Sequence, residues 1–332
     1  MTDARFDVLG IGNAIFDILG HVHDDALEKL GVAKGSMRLV DEAEARAVDA
    51  VLTDSVRVSG GSAGNTVAGV ASLGGRAAFI GKVADDANGE AYVHDMRHAG
   101  VAFTTPPLIG GAPTATSTIL VTPDGERTMN TFLGASQELT EADITEGLVE
   151  DAAITFLEGY LFDPPAAMAA FRLAASRATA AGRIAALTLS DSFCVERHRD
   201  DFMTLLKSGD VGLCFANAAE VKSLFQTDDL DAAAAELGKL VPTAVVTMSE
   251  KGARVITDGE AADVPADPVK VVDLTGAGDL FAGGFMLGHA RGLAPADCAR
   301  LGAICAAEVI SHFGARPQTT LADLAKTAGF TF

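Results

Sequence analysis

The sequence predicts an α/β fold, a mostly parallel sheet flanked by helices and carrying a small β-sheet lid. Three observations lead there: short apolar runs recur along the chain, segments of helical periodicity separate them, and two β-prone stretches break that rhythm. Residues 6–12 form the first apolar run and close on glycines. Further runs at 77–81, 153–157, 183–187, 212–215 and 244–247 have the length of buried strands. Helical patterns at 65–73, 166–180 and 230–240 supply the crossovers that parallel strands need. The exceptions, residues 14–39 and 114–132, read as antiparallel strand material. In the second of them, residues 114–121 are rich in Thr and aliphatic side chains, Pro123-Asp124-Gly125 is a turn, and Arg127 to Thr131 returns. The Gly- and Pro-rich stretch from Pro106 to Pro113 makes a hinge-like connection. The expected division is a core of residues 1–13, 40–107 and 134–332 and a lid of residues 14–39 and 108–133.

Composition narrows the function classes. A chain of 332 residues with 48% hydrophobic content can bury a sizeable core, and wholesale disorder is excluded. The formal net charge of −20 argues against a general nucleic-acid or anionic-membrane binder. It leaves room for a nucleotide, which needs only a local positive pocket. Cys194, Cys214, Cys298 and Cys305 form no CxxC pair, so reduced thiols and a cytoplasmic location are expected. The N-terminal residues lack the features of a signal peptide, and every long apolar stretch is interrupted by glycine or charge.

The densest chemical signal is Asp273-Leu274-Thr275-Gly276-Ala277-Gly278-Asp279, followed by the small apolar run 280–285. A glycine turn feeds a helix start, where free N–H groups and the helix dipole favour an anion. Asp279 sets a carboxylate beside that hole. The pairing suits phosphoryl transfer: amides hold phosphate charge while the carboxylate takes a proton from the attacking hydroxyl. A second cluster, Ser59-Gly60-Gly61-Ser62-Ala63-Gly64-Asn65, precedes a helix. Its paired glycines let the backbone approach a ligand or swing as a hinge, and Asn65 suits a hydroxyl-rich substrate. A tight strand-to-helix turn with Asn at a cap reads the same way. No P-loop is present, since Gly75 to Lys82 has the wrong spacing and no following hydroxyl. Gly10-Ile11-Gly12-Asn13-Ala14-Ile15 lacks the third glycine of a dinucleotide fingerprint.

With both clusters in this order, nearly the whole chain resembles the ribokinase-like (phosphofructokinase-B type) family of sugar and nucleoside kinases. Gly60 to Asn65, with Gly74-Gly75 and Gly81-Lys82-Val83-Ala84-Asp85-Asp86, looks like the N-terminal signature; Asp273 to Asp279, with Phe281 and Gly284, looks like the C-terminal one. The resemblance implies a Rossmann-like core, a β lid, and transfer of the ATP γ-phosphate, with Mg²⁺, to a primary hydroxyl. It implies Asp279 as general base and the amides of Gly276, Ala277 and Gly278 as the anion hole. Asn217-Ala218-Ala219-Glu220 resembles the family's Asn-x-x-Glu element, which implies Glu220 as a Mg²⁺ holder through water and Asn217 beside the nucleotide. Thr247 and Gly252 resemble the strand and turn that border ATP, with Ser249 where the family often has glycine. The resemblance also suggests a K⁺-like ion near the carbonyl groups of Asp273 and Thr275, to which many members respond and some do not. The lid permits either a monomer or a homodimer.

The acceptor is read from Gly12-Asn13-Ala14-Ile15-Phe16-Asp17-Ile18. In the family the aspartate matching Asp17 grips two adjacent sugar hydroxyls, a geometry-selective contact. The Gly-Asn-x-x-x-Asp-Ile form, with Lys34 to Val40 further on, is similar to the adenosine kinase type. Asn13, Gly61 and Asn65 complete the expected acceptor contacts. Tyr160 reads as a purine-stacking ring or a half-buried core residue, Arg127 as a phosphate ligand or a solvated lid residue, and Phe16 and Leu39 stay equally open. The expected function is phosphorylation of the 5′-hydroxyl of a ribonucleoside, adenosine foremost. The alternatives are a kinase of a free sugar such as ribose or fructose, and a non-catalytic binding protein on the same fold.

Overall fold

The computed structural model describes residues 4–331. Its strands, in chain order, are β1 (Phe6–Ile11), β2 (Ile15–His21), β3 (Met37–Leu39), β4 (Val56–Ser59), β5 (Ala77–Ile80), β6 (Val101–Phe103), β7 (Ala115–Val121), β8 (Arg127–Phe132), β9 (Ala152–Glu158), β10 (Ile184–Thr188), β11 (Val211–Asn217), β12 (Thr243–Thr247), β13 (Ala253–Thr257) and β14 (Glu260–Val264). All six apolar runs expected to be core strands are strands of one sheet, ordered β14-β13-β12-β11-β10-β9-β1-β5-β6. From β12 through β6 every pairing in it is parallel, and β13 and β14 add an antiparallel edge.

Alternation along each strand divides the core in two. Val8, Phe79, Phe156, Phe215 and Val245 face one layer, with helices Ser62–Ser72, Ala277–Ala290 and Pro295–Val309. Leu9, Ile80, Leu157, Cys214 and Val246 face the other, with helices Pro165–Ala180, Ser192–Lys207, Ala218–Phe225 and Leu230–Leu240. The four cysteines are buried and unpaired. Among the described residues no helix is long and apolar enough to cross a membrane.

The second sheet is ordered β3-β8-β7-β2-β4. Here the expectations need correcting in three respects. Its β2–β7 and β3–β8 pairings are parallel, so only the β7–β8 hairpin and the β2–β4 pair are antiparallel. Residues 14–39 also contain a helix, Asp24–Leu30, with two aspartates in its first turn and Gly31 at φ 64° closing it. The fifth strand, β4, comes from a segment assigned to the core. Its residues Val56-Arg57-Val58-Ser59 alternate too briefly to stand out as a strand. Val22, Leu27, Val32, Val48 and Leu120 form a separate small core where helices Asp24–Leu30 and Glu42–Asp49 cover one face of this sheet.

The other face is read from the register, because directly paired residues share a face. Asp17, Ser117, Thr131 and Leu39 make one cross-strand row. Leu19, Ile119, Met129 and Met37 make the next, followed by His21, Val121 and Arg127. Phe16 has the opposite parity: it is 5% exposed and belongs to the main core, whereas Leu39, on the row of Asp17, is 56% exposed.

Candidate active site

In the main sheet the chain steps from β1 outward to β5 and β6 on one side, then returns to β9 and continues through β10, β11 and β12 on the other. The order reverses between β1 and β9, and ligands in open α/β sheets bind at the carboxyl ends of strands at such a point. Asn13 lies just past β1, and Glu158 ends β9. Glu158 is 1% exposed. Its Oε1 accepts from the Asn13 amide at 3.2 Å and from Asn13 Nδ2 at 2.9 Å, and its Oε2 accepts from the Ala63 amide at 2.8 Å. Burial raises its pKa to about 7, against the pull of these three donors. Glu158 thus ties the end of β1 to the glycine cluster.

That cluster is the crossing from lid to core. The Asp17 carboxylate lies over Gly60, where a Cβ would stand 2.2 Å from its Oδ2. Gly61, at φ 82°, passes so close to Asn13 that a Cβ would meet the Asn13 carbonyl at 2.2 Å. Helix Ser62–Ser72 starts directly after it. Ser62 Oγ donates to Asp279 Oδ1 at 2.7 Å, and Asn65 Nδ2 donates to Asp279 Oδ2 at 2.9 Å. The buried Asn65 Oδ1 has no protein partner.

Asp279 sits in the first turn of helix Ala277–Ala290, whose N-cap is Gly276 in the left-handed region at φ 81°. A Cβ there would stand 2.9 Å from Ala315, so a larger residue fails on conformation and on space alike. The Ala277 amide donates to the Leu274 carbonyl at 3.3 Å. Those of Gly276 and Gly278 have no acceptor among the described residues, and the space over Gly278 is open. The helix head is therefore an uncapped anion hole with a carboxylate at its rim. Burial raises the pKa of Asp279, opposed by the donors Ser62 and Asn65 and by the Arg316 charge.

Asp17 differs from Asp279. No donor among the described residues bonds its carboxylate, although Arg316 and Arg127 act on it through space. Burial, reinforced by the charge of Asp279, pushes its pKa up to about 7. Nearby, Ser117 Oγ and Thr131 Oγ1 share a hydrogen bond of 2.9 Å.

Arg127 crosses from β8 to the glycine turn. Its Nη1 donates to Thr275 Oγ1 at 3.0 Å, its Nη2 pairs with Asp273 Oδ2 at 2.7 Å, and the guanidinium lies 5.5 Å from the centre of the Phe313 ring. Asp273 Oδ1 also accepts from the Thr275 amide and hydroxyl, and Oδ2 from the Gly314 amide. Three hydrogen bonds and the Arg127 ion pair thus converge on the Asp273 carboxylate. Arg127 supplies positive charge beside the Asp273 side chain.

At the far end of the same sheet edge, Asn217 and Glu220 form a capping box on helix Ala218–Phe225. Asn217 Oδ1 accepts from the amides of Ala219 and Glu220, both at 2.9 Å, and Glu220 Oε2 accepts from the Asn217 amide at 2.9 Å. Glu220 is 4% exposed, and burial raises its pKa to about 7. Its oxygens keep lone pairs, so the donor set fits a water of a Mg²⁺ ion and not a closed metal cage. Among the described residues no three His, Cys, Asp or Glu side chains converge on a metal position. Thr247 ends β12, and the turn after it holds Ser249 at φ 54° and Gly252 at φ 92°. Ser249 adopts the left-handed conformation that glycine would take more readily. Tyr160 is half-buried just after β9, its hydroxyl 3.4 Å from the Ser190 carbonyl.

The structure thus brings Asn13, Asp17, Gly61, Asn65, Arg127, Asp273, Thr275, Gly276, Gly278 and Asp279 together around the glycine crossing and the helix head. Asn217, Glu220, Thr247 and Gly252 stand at or just after the ends of β11 and β12 in the same sheet and, among the described residues, make no hydrogen bond or ion pair with that group. Sequence reasoning missed Ser62, Glu158 and Arg316. Glu158 had one local signal, a charge closing an otherwise apolar strand.

Comparison with known proteins gives the family. The model of the pfkB family carbohydrate kinases matches residues 29–321. The structure of adenosine kinase from Sinorhizobium meliloti is 49% identical, with a TM-score of 0.92, over 98% of this chain and 100% of that one. A probable sugar kinase from Rhizobium etli is 46% identical, also with a TM-score of 0.92, over 98% of this chain and 99% of that one. Adenosine kinase 1 of Arabidopsis thaliana is 25% identical over 95% of this chain and 97% of its own length. With a family model spanning most of its length and a free anion hole beside Asp279, the chain belongs to the pfkB family of carbohydrate kinases and is an ATP-dependent kinase.

Proposed function

We propose that the protein transfers the γ-phosphoryl group of ATP to the 5′-hydroxyl of a ribonucleoside, adenosine foremost. The observation that carries this choice is the two-part wall of the cleft. Its first row offers an unpartnered carboxylate, Asp17, beside the hydroxyls of Ser117 and Thr131. Its next row is Leu19, Ile119, Met129 and Met37, and the exposed Leu39 stands at the end of the first. A free sugar fills only the polar part. A nucleoside fills both, its vicinal hydroxyls on Asp17 and its flat base on the apolar strip. The similarity to the adenosine kinase of Sinorhizobium meliloti supports the same acceptor.

In this reading Asp17, Asn13, Gly61 and Asn65 orient the ribose, and the glycine crossing lets the lid close and exclude water. Asp279 accepts the proton of the 5′-hydroxyl as it attacks phosphorus. The amides of Gly276, Ala277 and Gly278 receive the charge of the transferring group. Ala277 must give up its long bond to Leu274 to take part. Arg127 stands one residue from that hole and adds positive charge. Tyr160 borders the acceptor and Asn217, Thr247 and Gly252 the nucleotide, while Glu220 would hold Mg²⁺ through water, an ion that would neutralise phosphate charge.

The test is an acceptor panel of adenosine, inosine, cytidine, ribose and fructose with MgATP, following ADP release and locating the new phosphate by mass spectrometry. Adenosine should give the highest kcat/KM, with the phosphate on the 5′-oxygen. Phosphorylation of ribose or fructose with every nucleoside inert would overturn the proposal in favour of a free-sugar kinase.

A further inference from the structure

Arg316 lies in the loop after helix Pro295–Val309 and belongs to neither glycine motif. Its fork spans three elements. Nε donates to the Ser59 carbonyl at 3.0 Å, Nη1 to the Gly64 carbonyl at 3.1 Å, and Nη2 to Ser59 Oγ at 2.9 Å and to Met96 Sδ at 3.2 Å. The contacts bracket the crossing from β4 to helix Ser62–Ser72. Tyr92 holds the same crossing from the other side by donating to the Gly60 carbonyl at 3.0 Å, and Asp95 accepts from the Ser59 amide at 2.9 Å.

No described carboxylate is within ion-pair distance of Arg316. A desolvated guanidinium without a direct counter-ion is costly, and only its surroundings compensate. Those surroundings are specific. Asp17 faces it from β2, Tyr92 and Asp95 from helix Ala87–His98, and Asp279 from helix Ala277–Ala290. Neither β4, whose Arg57 pairs with Asp49 elsewhere, nor helix Ser62–Ser72 adds a charge facing it. On its own loop, His312 is engaged with Glu308.

We propose that Arg316 is a positioning residue of the acceptor site: it clamps the Ser59–Gly64 crossing and supplies the one positive charge that Asp17 and Asp279 share. The clamp acts on Asp279 through Ser62 and Asn65, the two side chains that hold its carboxylate, both on the first turns of the helix that Arg316 grips. It acts on Asp17 through Gly60, on which that carboxylate rests. An arginine is required for both tasks, because a lysine keeps the charge but cannot span the Ser59 and Gly64 carbonyls with one rigid fork. The inference rests on the reading of Asp17 and Asp279 as the acceptor-facing carboxylates.

The experiment separates charge from clamp. Carboxyl carbons of aspartate-labelled, ligand-free protein are titrated by NMR in wild type, R316Q and R316K, with D17N and D279N assigning the two signals. In R316Q both carboxyls should titrate at higher pH, by roughly half a unit or more, since a nearby positive charge favours their ionised form. In R316K they should stay near the wild-type positions while kcat/KM for the acceptor falls roughly 10-fold, the cost of a slackened geometry. Unmoved titrations in R316Q, or wild-type kinetics in R316K, would overturn the proposal. Should R316Q not fold, the R316K kinetics decide alone. The titration needs no substrate, so a wild-type protein inert toward nucleosides would sink the acceptor assignment while leaving the shared-charge result readable.

Discussion

The two ends of the cleft are built in different ways. At the proposed acceptor end, Asp17 apart, the groups are held by residues far away in the chain: Asp279 by Ser62 and Asn65, Asn13 and the Ala63 amide by Glu158, and the glycine crossing by Arg316. At the nucleotide end the arrangement is local. Asn217 and Glu220 satisfy each other across three residues, and the Thr247–Gly252 turn closes on itself. The proposed acceptor end joins the second sheet to the main core, and long-range bonds brace that junction. The nucleotide end rides on one helix head and one turn of the rigid sheet, where a local motif suffices.

The largest effect belongs to Asp279→Asn, which keeps the bonds' shape but removes the proton acceptor. Turnover should fall roughly 10²–10⁴-fold with both substrates still bound, measured as kcat against calorimetric affinities. Asp17→Ala removes two charge-assisted bonds to the acceptor. Its acceptor KM should rise roughly 10²-fold with little change in the KM for ATP, and equal rises in both would show that the ends are not separable. Glu220→Gln acts at the other end. It should lower kcat roughly 10–100-fold, eased by raised Mg²⁺, and leave acceptor binding untouched. An acceptor KM that moved with it would break the division between the two ends.

The smallest effect is on stability and follows from charge. Burial raises Asp17, Glu158 and Glu220 to about 7, above their unfolded values. Each therefore binds its proton more tightly in the folded state. The stability they contribute is complete below about pH 4 and is lost as pH rises through about 7. Asp7 and Asp86, with lowered values, act in the opposite sense. Asp17→Asn should thus melt roughly 2 °C above wild type at pH 8 and level with it near pH 4. A variant less stable than wild type at pH 8 would mean that the Asp17 charge stabilises the fold.

This asymmetry also explains what the sequence disclosed. The apolar strands, the Gly276 turn and the Asn217–Glu220 pair are local patterns and were legible, as was the β7–β8 hairpin with its Pro-Asp-Gly turn. Helix Asp24–Leu30 carried readable signals, paired aspartates at its start and Gly31 after its end, yet strand-like neighbours masked it. Ser62, Glu158 and Arg316 were not legible, because each acts on a residue about 100 to 260 positions away and a single sequence has no coordinate linking them. The serine at 249 shows the reverse: where the family often has glycine, Ser249 itself takes the left-handed conformation, at φ 54°.

The most direct test of the account is a crystal structure of the protein with adenosine, Mg²⁺ and a non-hydrolysable ATP analogue. The adenosine 5′-oxygen should lie within hydrogen-bond distance of the Asp279 carboxylate, with the terminal phosphate on the amides of Gly276 to Gly278 and the ribose hydroxyls on Asp17. A terminal phosphate bound elsewhere, or an Asp279 carboxylate that stays on Ser62 and Asn65 with no acceptor oxygen in reach, would contradict it.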